Sequence, residues 1–296
     1  MVGRNILEHP LAKSFIFVAP SSAELDLRDF SAVKSYISKV SPDMVIHAAG
    51  RVGGIQANLA DPVNFLVENI DIGRNVILAS YDAGVKKLLN LSSSCMYPRN
   101  AANPLTEDLV LKGELEPTNE GYALAKIVAM KLCEYLRRES PAFEYKTFIP
   151  CNLYGRYDKF DPKHSHLIPA IIHKVHLAKI NQEETVEIWG DGTARREFMY
   201  AGDLADAVLK AISSFETAPN LMNVGLGIDY SINEYYQAAA KIIGWTGEFV
   251  HDLNRPVGMN QKMVSTSLQA KWGWKSTTSL QDGIQKTYDF YLKSIQ

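Results

Sequence analysis

Cysteine is scarce in this chain of 296 residues: it has three, at Cys95, Cys133 and Cys151. They are too few and too scattered for a disulfide framework or a metal cluster, which fits a reducing, cytoplasmic setting. An excess of charge of either sign is also lacking. Lysine and arginine total 31 against 33 acidic residues, a formal net charge of -2, so the global electrostatics give no case for nucleic acid. No apolar run reaches the roughly 18 residues that suggest a membrane span. The opening Met1-Val2-Gly3-Arg4-Asn5 carries no signal-peptide core. Internal repeats and low-complexity linkers are missing too.

What is present is ample apolar material, 46% of the residues, enough for one large domain or two closely joined ones. Ser14 to Ala19, Met44 to Ala49, Lys87 to Ser92 and Lys146 to Pro150 read as strands. Ser31 to Lys39, Asn64 to Ala83 and Tyr122 to Glu139 read as helices, the second closed by Gly84. Short strands alternating with long helices predict βαβ units and a parallel sheet, an α/β fold. Ligands of such sheets sit beyond the carboxyl ends of the strands, which singles out His47 through Gly54, Ser92 through Tyr97 and Pro150 through Tyr154. After Gly155 the texture changes. Tyr157 to His166 reads as a polar loop, Ile168 to Ala178 as a helix opened by Pro169, and Glu187 to Thr193 as a strand entering a Gly-rich turn. Asp203 to Phe215, Ile232 to Ile243 and Leu280 to Lys293 read as helices, and Leu221 to Val224 as a strand. A nucleotide-binding βαβ unit is expected to open with an apolar strand and a G-x-x-G-x-x-G loop. This chain instead begins in helix-like sequence, with Gly3 read as the last glycine of such a loop.

Tyr122 and Lys126 form an i, i+4 pair, which places phenol and ammonium on one helix face. A lysine near a tyrosine favours the phenolate and is expected to draw its pKa toward neutrality. A serine from the Ser92-Ser93-Ser94-Cys95 strand end would complete a proton relay at a carbonyl or carbinol. This is the chemistry of hydride exchange between a nicotinamide and a sugar carbon. The plain alternative is an amphipathic helix with a surface lysine.

With these residues the chain resembles the extended short-chain dehydrogenase/reductase family. Within it the likeness is to the epimerase-reductases that convert GDP-4-keto-6-deoxy-D-mannose to GDP-L-fucose. The likeness is carried by His47-Ala48-Ala49-Gly50-Arg51-Val52-Gly53-Gly54-Ile55, Asn69, Ser92 through Pro98, Glu116 through Lys126, Asn152-Leu153-Tyr154-Gly155, His164 through Pro169, Trp189-Gly190-Asp191-Gly192 and Arg195-Arg196-Glu197-Phe198. It extends from Met1 to about Tyr291. The resemblance implies a Rossmann-type NADP(H) domain over 1–155, its sheet completed by segments near 187–225, and a smaller, mainly substrate-binding domain over 156–296. It also implies that the first strand and the first fingerprint glycines would precede Met1, leaving cofactor affinity reduced.

The resemblance further assigns roles. Tyr122 donates a proton to the C4 oxygen, Lys126 holds Tyr122 acidic and binds the nicotinamide ribose, and Ser93 binds the same oxygen. Cys95 and His166 form the base and acid that exchange protons at C3 and C5; their plain alternatives are a buried small hydrophobe and a loop histidine capping a helix. Gly3, His47, Ala48, Ala49 and Asn69, together with Tyr122, Lys126 and His166, line the cofactor groove. Val52, Gly53, Asn152, Lys174, Trp189, Arg196 and Lys262 face the GDP-sugar, Arg196 meeting the diphosphate with a guanidinium fork. Lys174 stands where an arginine is usual. Ala19-Pro20-Ser21-Ser22 has no acidic residue to repel a 2'-phosphate, which leans toward NADP(H). A homodimer is implied as well. Competing readings are a related nucleotide-sugar enzyme, such as one of the GDP-colitose branch, and a non-catalytic Rossmann-like binding protein.

Overall fold

The structure, a computed structural model, describes residues 1–161, 165–255 and 259–295. In chain order its strands are β1 (Met44–His47), β2 (Lys87–Leu91), β3 (Glu144–Pro150), β4 (Asn152–Tyr154), β5 (Thr185–Trp189), β6 (Arg195–Arg196), β7 (Phe198–Tyr200), β8 (Leu221–Val224), β9 (Tyr230–Ser231), β10 (Glu248–Asp252) and β11 (Gln261–Lys262). The principal sheet runs β1-β2-β3-β8 with every pair parallel. Its central strands read Lys-Leu-Leu-Asn-Leu and Glu-Tyr-Lys-Thr-Phe-Ile-Pro and are buried on both faces, as parallel strands covered by helices must be.

Helices cover both faces. On one side Leu89 and Phe148 pack with Leu204 and Val208 of the helix Ala201–Ser213. On the other, Ile77 of the helix Pro62–Asp82 and Ala129 and Cys133 of the helix Glu120–Glu139 close over Leu88 and Tyr145. The helix Glu120–Glu139 has Glu120 in its first turn and Arg137 and Arg138 in its last, complementing the helix dipole. A second core, built on Tyr154, Ile172, Val186, Tyr235 and Ile284, lies among the later elements. There the helix Ile232–Ile243 starts at a Ser231/Glu234 capping box and stops at left-handed Gly244.

Two sequence expectations need correction. Of the later segments expected to complete the sheet, β8 joins it, whereas β5 pairs with β10 in a separate two-stranded sheet. Ser14 to Ala19 is not a ladder strand: no described strand runs beside it to take its backbone groups. It stays apolar on alternate residues, with Phe15 and Phe17 packed on the main core while Ile16 is 97% exposed and Val18 56%. Among the described residues no helix is long and apolar enough to cross a membrane, and no His/Cys/Asp/Glu group is arranged to hold a metal ion.

Candidate active site

The carboxyl end of β2 runs into a 3-10 turn, Ser94–Met96, for which Ser93 is the cap: its Oγ accepts from the Cys95 N–H at 3.3 Å. Ser93 also lies close enough to the Tyr122 hydroxyl to draw its pKa down. Lys126 is nearly buried, donates from Nζ to the Leu91 carbonyl at 3.3 Å, and lies 5.7 Å from the Tyr122 ring centre. Burial brings Lys126 down to about 8, with Cys95 opposing. Tyr122 moves the other way from the sequence expectation. Burial first, and Cys95 second, push its hydroxyl above the usual tyrosine range, while Ser93 pulls it down. Desolvation outweighs the relay, and Lys126 directs its hydrogen bond to the backbone. A tyrosine that keeps its proton suits a donor better than a base.

The Cys95 thiol, partly exposed, lies next to this group. Its Sγ accepts from Asn119 Nδ2 at 3.2 Å and from Lys262 Nζ at 3.7 Å. Strand β11 pairs in parallel with β6, Lys262 opposite Arg196, so the two cations leave one sheet face side by side. Burial holds the Arg196 guanidinium below its ordinary pKa, with Glu116 opposing. The carboxylates of Glu197 and Asp203, near Arg196 in the chain, have partners of their own. Asp203 accepts from Ser276 and Thr278, and Glu197 accepts from backbone N–H groups of Gly227 and Val264 at 2.9 and 2.8 Å, and of Leu226.

His166 precedes the helix Leu167–Ile180 without capping it through its side chain. Its Nδ1 is 3.7 Å from Asp158 Oδ1, and that carboxylate is almost fully buried. The loop meets the Val52–Gly54 turn closely: a Cβ on Gly54 would sit 2.8 Å from the Ser165 carbonyl. His164 lies outside the described residues.

Several predicted contact residues also bond the backbone. Asn69 accepts from the Arg51 N–H at 2.9 Å and donates to the Arg51 and Phe65 carbonyls at 3.0 and 2.7 Å, bracing the turn that carries Val52 and Gly53. Asn152 Nδ2 donates to the Glu197 carbonyl at 3.0 Å. Lys174 donates to the Glu187 carbonyl, and burial lowers its pKa. The position is thus tied to β5, away from an arginine's bidentate role. His47 is buried near Gly73 and driven down to about 3 by burial and by Lys126, so it is neutral. Trp189 is 43% exposed, with the Arg255 guanidinium 5.0 Å from its ring. Gly3 lies in the helix Val2–Leu7 with open space where a Cβ would point. Sequence reasoning missed Asn119 and Asp158. Asn119 lies in the Glu116 through Lys126 stretch and Asp158 in the Tyr157 to His166 loop, but only the fold shows that they meet Cys95 and His166.

The strand ends fit a nicotinamide riboside. Ala48, Ala49 and Gly50 keep the end of β1 partly open, and a Cβ on Gly50 would come within 2.9 Å of Asn69 Oδ1 and 3.5 Å of Lys126 Nζ. That close approach requires glycine and leaves Lys126 beside an accessible floor.

Glu197 ties the cation-bearing strands together and sets a pH dependence. Burial raises it to about 7 from 4.5, against the pull of its backbone donors. A carboxyl raised by folding stabilises the fold while protonated. Its contribution, roughly 3 kcal/mol, is therefore complete below about 4.5 and lost as pH rises through about 7. Urea midpoints measured from pH 4.5 to 8 are expected to fall across this window, and Glu197→Gln to lack that component of the slope. A slope unchanged in the variant would assign it to other groups.

A parallel sheet presenting serine, tyrosine and lysine together at its carboxyl edge defines the class: a Rossmann-type fold with the site of a short-chain reductase. The chain belongs to the NAD dependent epimerase/dehydratase family, whose model matches residues 1–225. It is 53% identical over 292 residues to the GDP-L-colitose synthase of Yersinia pseudotuberculosis, covering 99% of this chain and 95% of that protein. It is 52% identical over 292 residues to the GDP-L-fucose synthase of Azorhizobium caulinodans, covering 99% and 93%. Among solved structures it superimposes on a GDP-6-OMe-4-keto-L-xylo-heptose reductase from C. jejuni with a TM-score of 0.92 at 31% identity, covering 99% of this chain and 95% of that one. A GDP-L-fucose synthetase from Naegleria fowleri bound to NADP gives 0.87 at 26% identity, covering 99% and 91%.

Proposed function

We propose that this protein is an NADP(H)-dependent 3,5-epimerase and 4-reductase that converts GDP-4-keto-6-deoxy-D-mannose to GDP-L-fucose. The observation that carries this reading is that the Cys95 sulfur lies beside the Tyr122, Ser93 and Lys126 group. Tyr122, with Ser93 and Lys126, serves a carbonyl oxygen; Cys95, held by Asn119 and Lys262, serves a carbon acid. A reductase needs only the first.

NADP(H), when bound, supplies the hydride. Lys126, close to Gly50, would hold the nicotinamide ribose. Cys95 and His166 take and return protons at C3 and C5, which the 4-keto group acidifies, working from opposite faces of the ring. Ser93 and Tyr122 hold the ketone oxygen, and Tyr122 protonates it as the hydride arrives, a direction favoured by a phenol that burial keeps protonated. Lys262 and Arg196, adjacent across β11 and β6, take the diphosphate. The test is NADPH oxidation, followed optically, with the product identified by NMR. Oxidation is expected only when the GDP-ketosugar is added, and no oxidation would refute the reading. The second reading, reduction of the 3-deoxy sugar of the colitose series, is favoured by the 53% identity to a GDP-L-colitose synthase.

The assembly is proposed to be a homodimer. Val63 and Val67 of the helix Pro62–Asp82 and Leu124, Val128 and Tyr135 of the neighbouring helix Glu120–Glu139 form an apolar stripe, each between 39% and 68% exposed. Two copies facing through these helices would form a four-helix contact. Val128→Asp is expected to convert a dimer to a monomer in sedimentation velocity; a variant that still sediments as a dimer would move the interface elsewhere.

A further inference from the structure

Asn119 lies between the catalytic groups, and its side chain does something unusual for its position. It is the N-cap of the helix that carries Tyr122 and Lys126, yet its amide makes no capping bond, although asparagine is among the best cap residues. The side chain turns away from the helix end, and Nδ2 donates to Cys95 Sγ at 3.2 Å. The other end of the amide, Oδ1, is buried and has no partner among the described residues. A buried carbonyl oxygen without a donor is unfavourable, and in a cleft that takes a polyhydroxylated substrate the missing donor is a hydroxyl. The same amide touches the sulfur that works on a carbon next to the ketone. The hydroxyl within its reach is therefore the one borne by that carbon.

We propose that Asn119 is a specificity-determining residue: its Oδ1 accepts the hydrogen bond of the sugar 3-hydroxyl while its Nδ2 positions the Cys95 sulfur at C3. The inference rests on the GDP-ketosugar reading and deepens it. A 3-hydroxylated 4-keto sugar satisfies the amide. A 3-deoxy sugar puts a methylene against the buried carbonyl and leaves it unpaired, and a site built to bond a hydroxyl rejects the analogue that lacks it. The chain thus belongs with enzymes of the hydroxylated sugar, even though its similarity to relatives of the two kinds is nearly equal.

Two products, GDP-L-fucose and GDP-L-colitose, differ only in the 3-hydroxyl and serve as binding probes by calorimetry. The corresponding 4-keto sugars give the ratio of kcat/KM values. Wild-type protein is expected to favour the hydroxylated member of each pair by roughly tenfold or more. Asn119→Ala is expected to bring both ratios to within about twofold of unity, through loss on the hydroxylated member alone, with the NADPH dissociation constant unchanged. Asn119→Asp keeps an acceptor but loses the donor to sulfur. It should retain the preference while slowing solvent deuterium exchange at C3, and it decides the matter if the alanine variant does not fold. A wild-type ratio preserved in Asn119→Ala, or lost in Asn119→Asp, overturns the proposal. Wild-type protein that turns over both sugars without preference overturns it alone. Wild-type protein that neither binds nor turns over either sugar overturns the GDP-ketosugar reading and this proposal with it.

Discussion

Tyr122→Phe is expected to lower the rate of ketone reduction by roughly 10²–10⁴-fold, the usual span for a positioned proton-transfer group, with little change in binding of the GDP-sugar. The hydroxyl is the only group removed, and Ser93 is beside it. The ring, on a helix anchored by buried Ala123, Ala125 and Ile127, stays in place. Single-turnover measurement of NADPH oxidation separates the chemical step from product release. A single-turnover rate equal to wild type would remove Tyr122 from the mechanism. Ser93→Ala should produce a smaller loss, because the tyrosine keeps its proton without it: burial, not the serine, is the leading influence on that hydroxyl.

Cys95→Ser and His166→Asn should act on the other half of the reaction. With NADP+ in place of NADPH no net reduction occurs, and deuterium incorporation from solvent at C3 and C5 reports proton exchange alone. Each substitution is expected to slow exchange at one or both carbons by roughly 10²-fold or more while the NADPH dissociation constant is unchanged. Reduction can then run ahead of epimerisation and yield an off-pathway GDP-deoxyhexose. Wild-type exchange at both carbons in both variants would show that some other pair of groups does this work. The sulfur's partners suggest an asymmetry between the two. Cys95 is fixed by Asn119 and Lys262, whereas His166 sits at a helix start with Asp158, 3.7 Å away, as its ion-pair neighbour among the described residues.

The periodic elements were legible because their pattern and their environment agree. Leu221–Val224 and Ile232–Ile243 keep the bounds read from the sequence. Ser14 to Ala19 had equally good strand composition but finds no neighbour; composition speaks of one segment, whereas a ladder needs two. At the site, the i, i+4 relation of Tyr122 and Lys126 could be read directly, since a helix converts spacing into geometry. What could not be read is how desolvation and a backbone carbonyl alter that pair. The Leu91 oxygen that takes the lysine's hydrogen bond comes from a different strand. The same limit explains Asn69, Asn152 and Lys174: each looked like a ligand contact in sequence, and each is engaged by a backbone group, 18, 45 and 13 residues away respectively for the bonds to Arg51, Glu197 and Glu187.

The extended run from Phe15 to Ala19 has a consequence for how the protein behaves in solution. Its peptide groups meet no adjacent strand, and Ile16 and Val18 point outward. An extended segment outside every described ladder, with an apolar outer face, is a template on which another polypeptide can lay down a strand. No proline or lysine interrupts it before Pro20. At high concentration, association between copies is therefore expected to begin at these few residues, by strand addition.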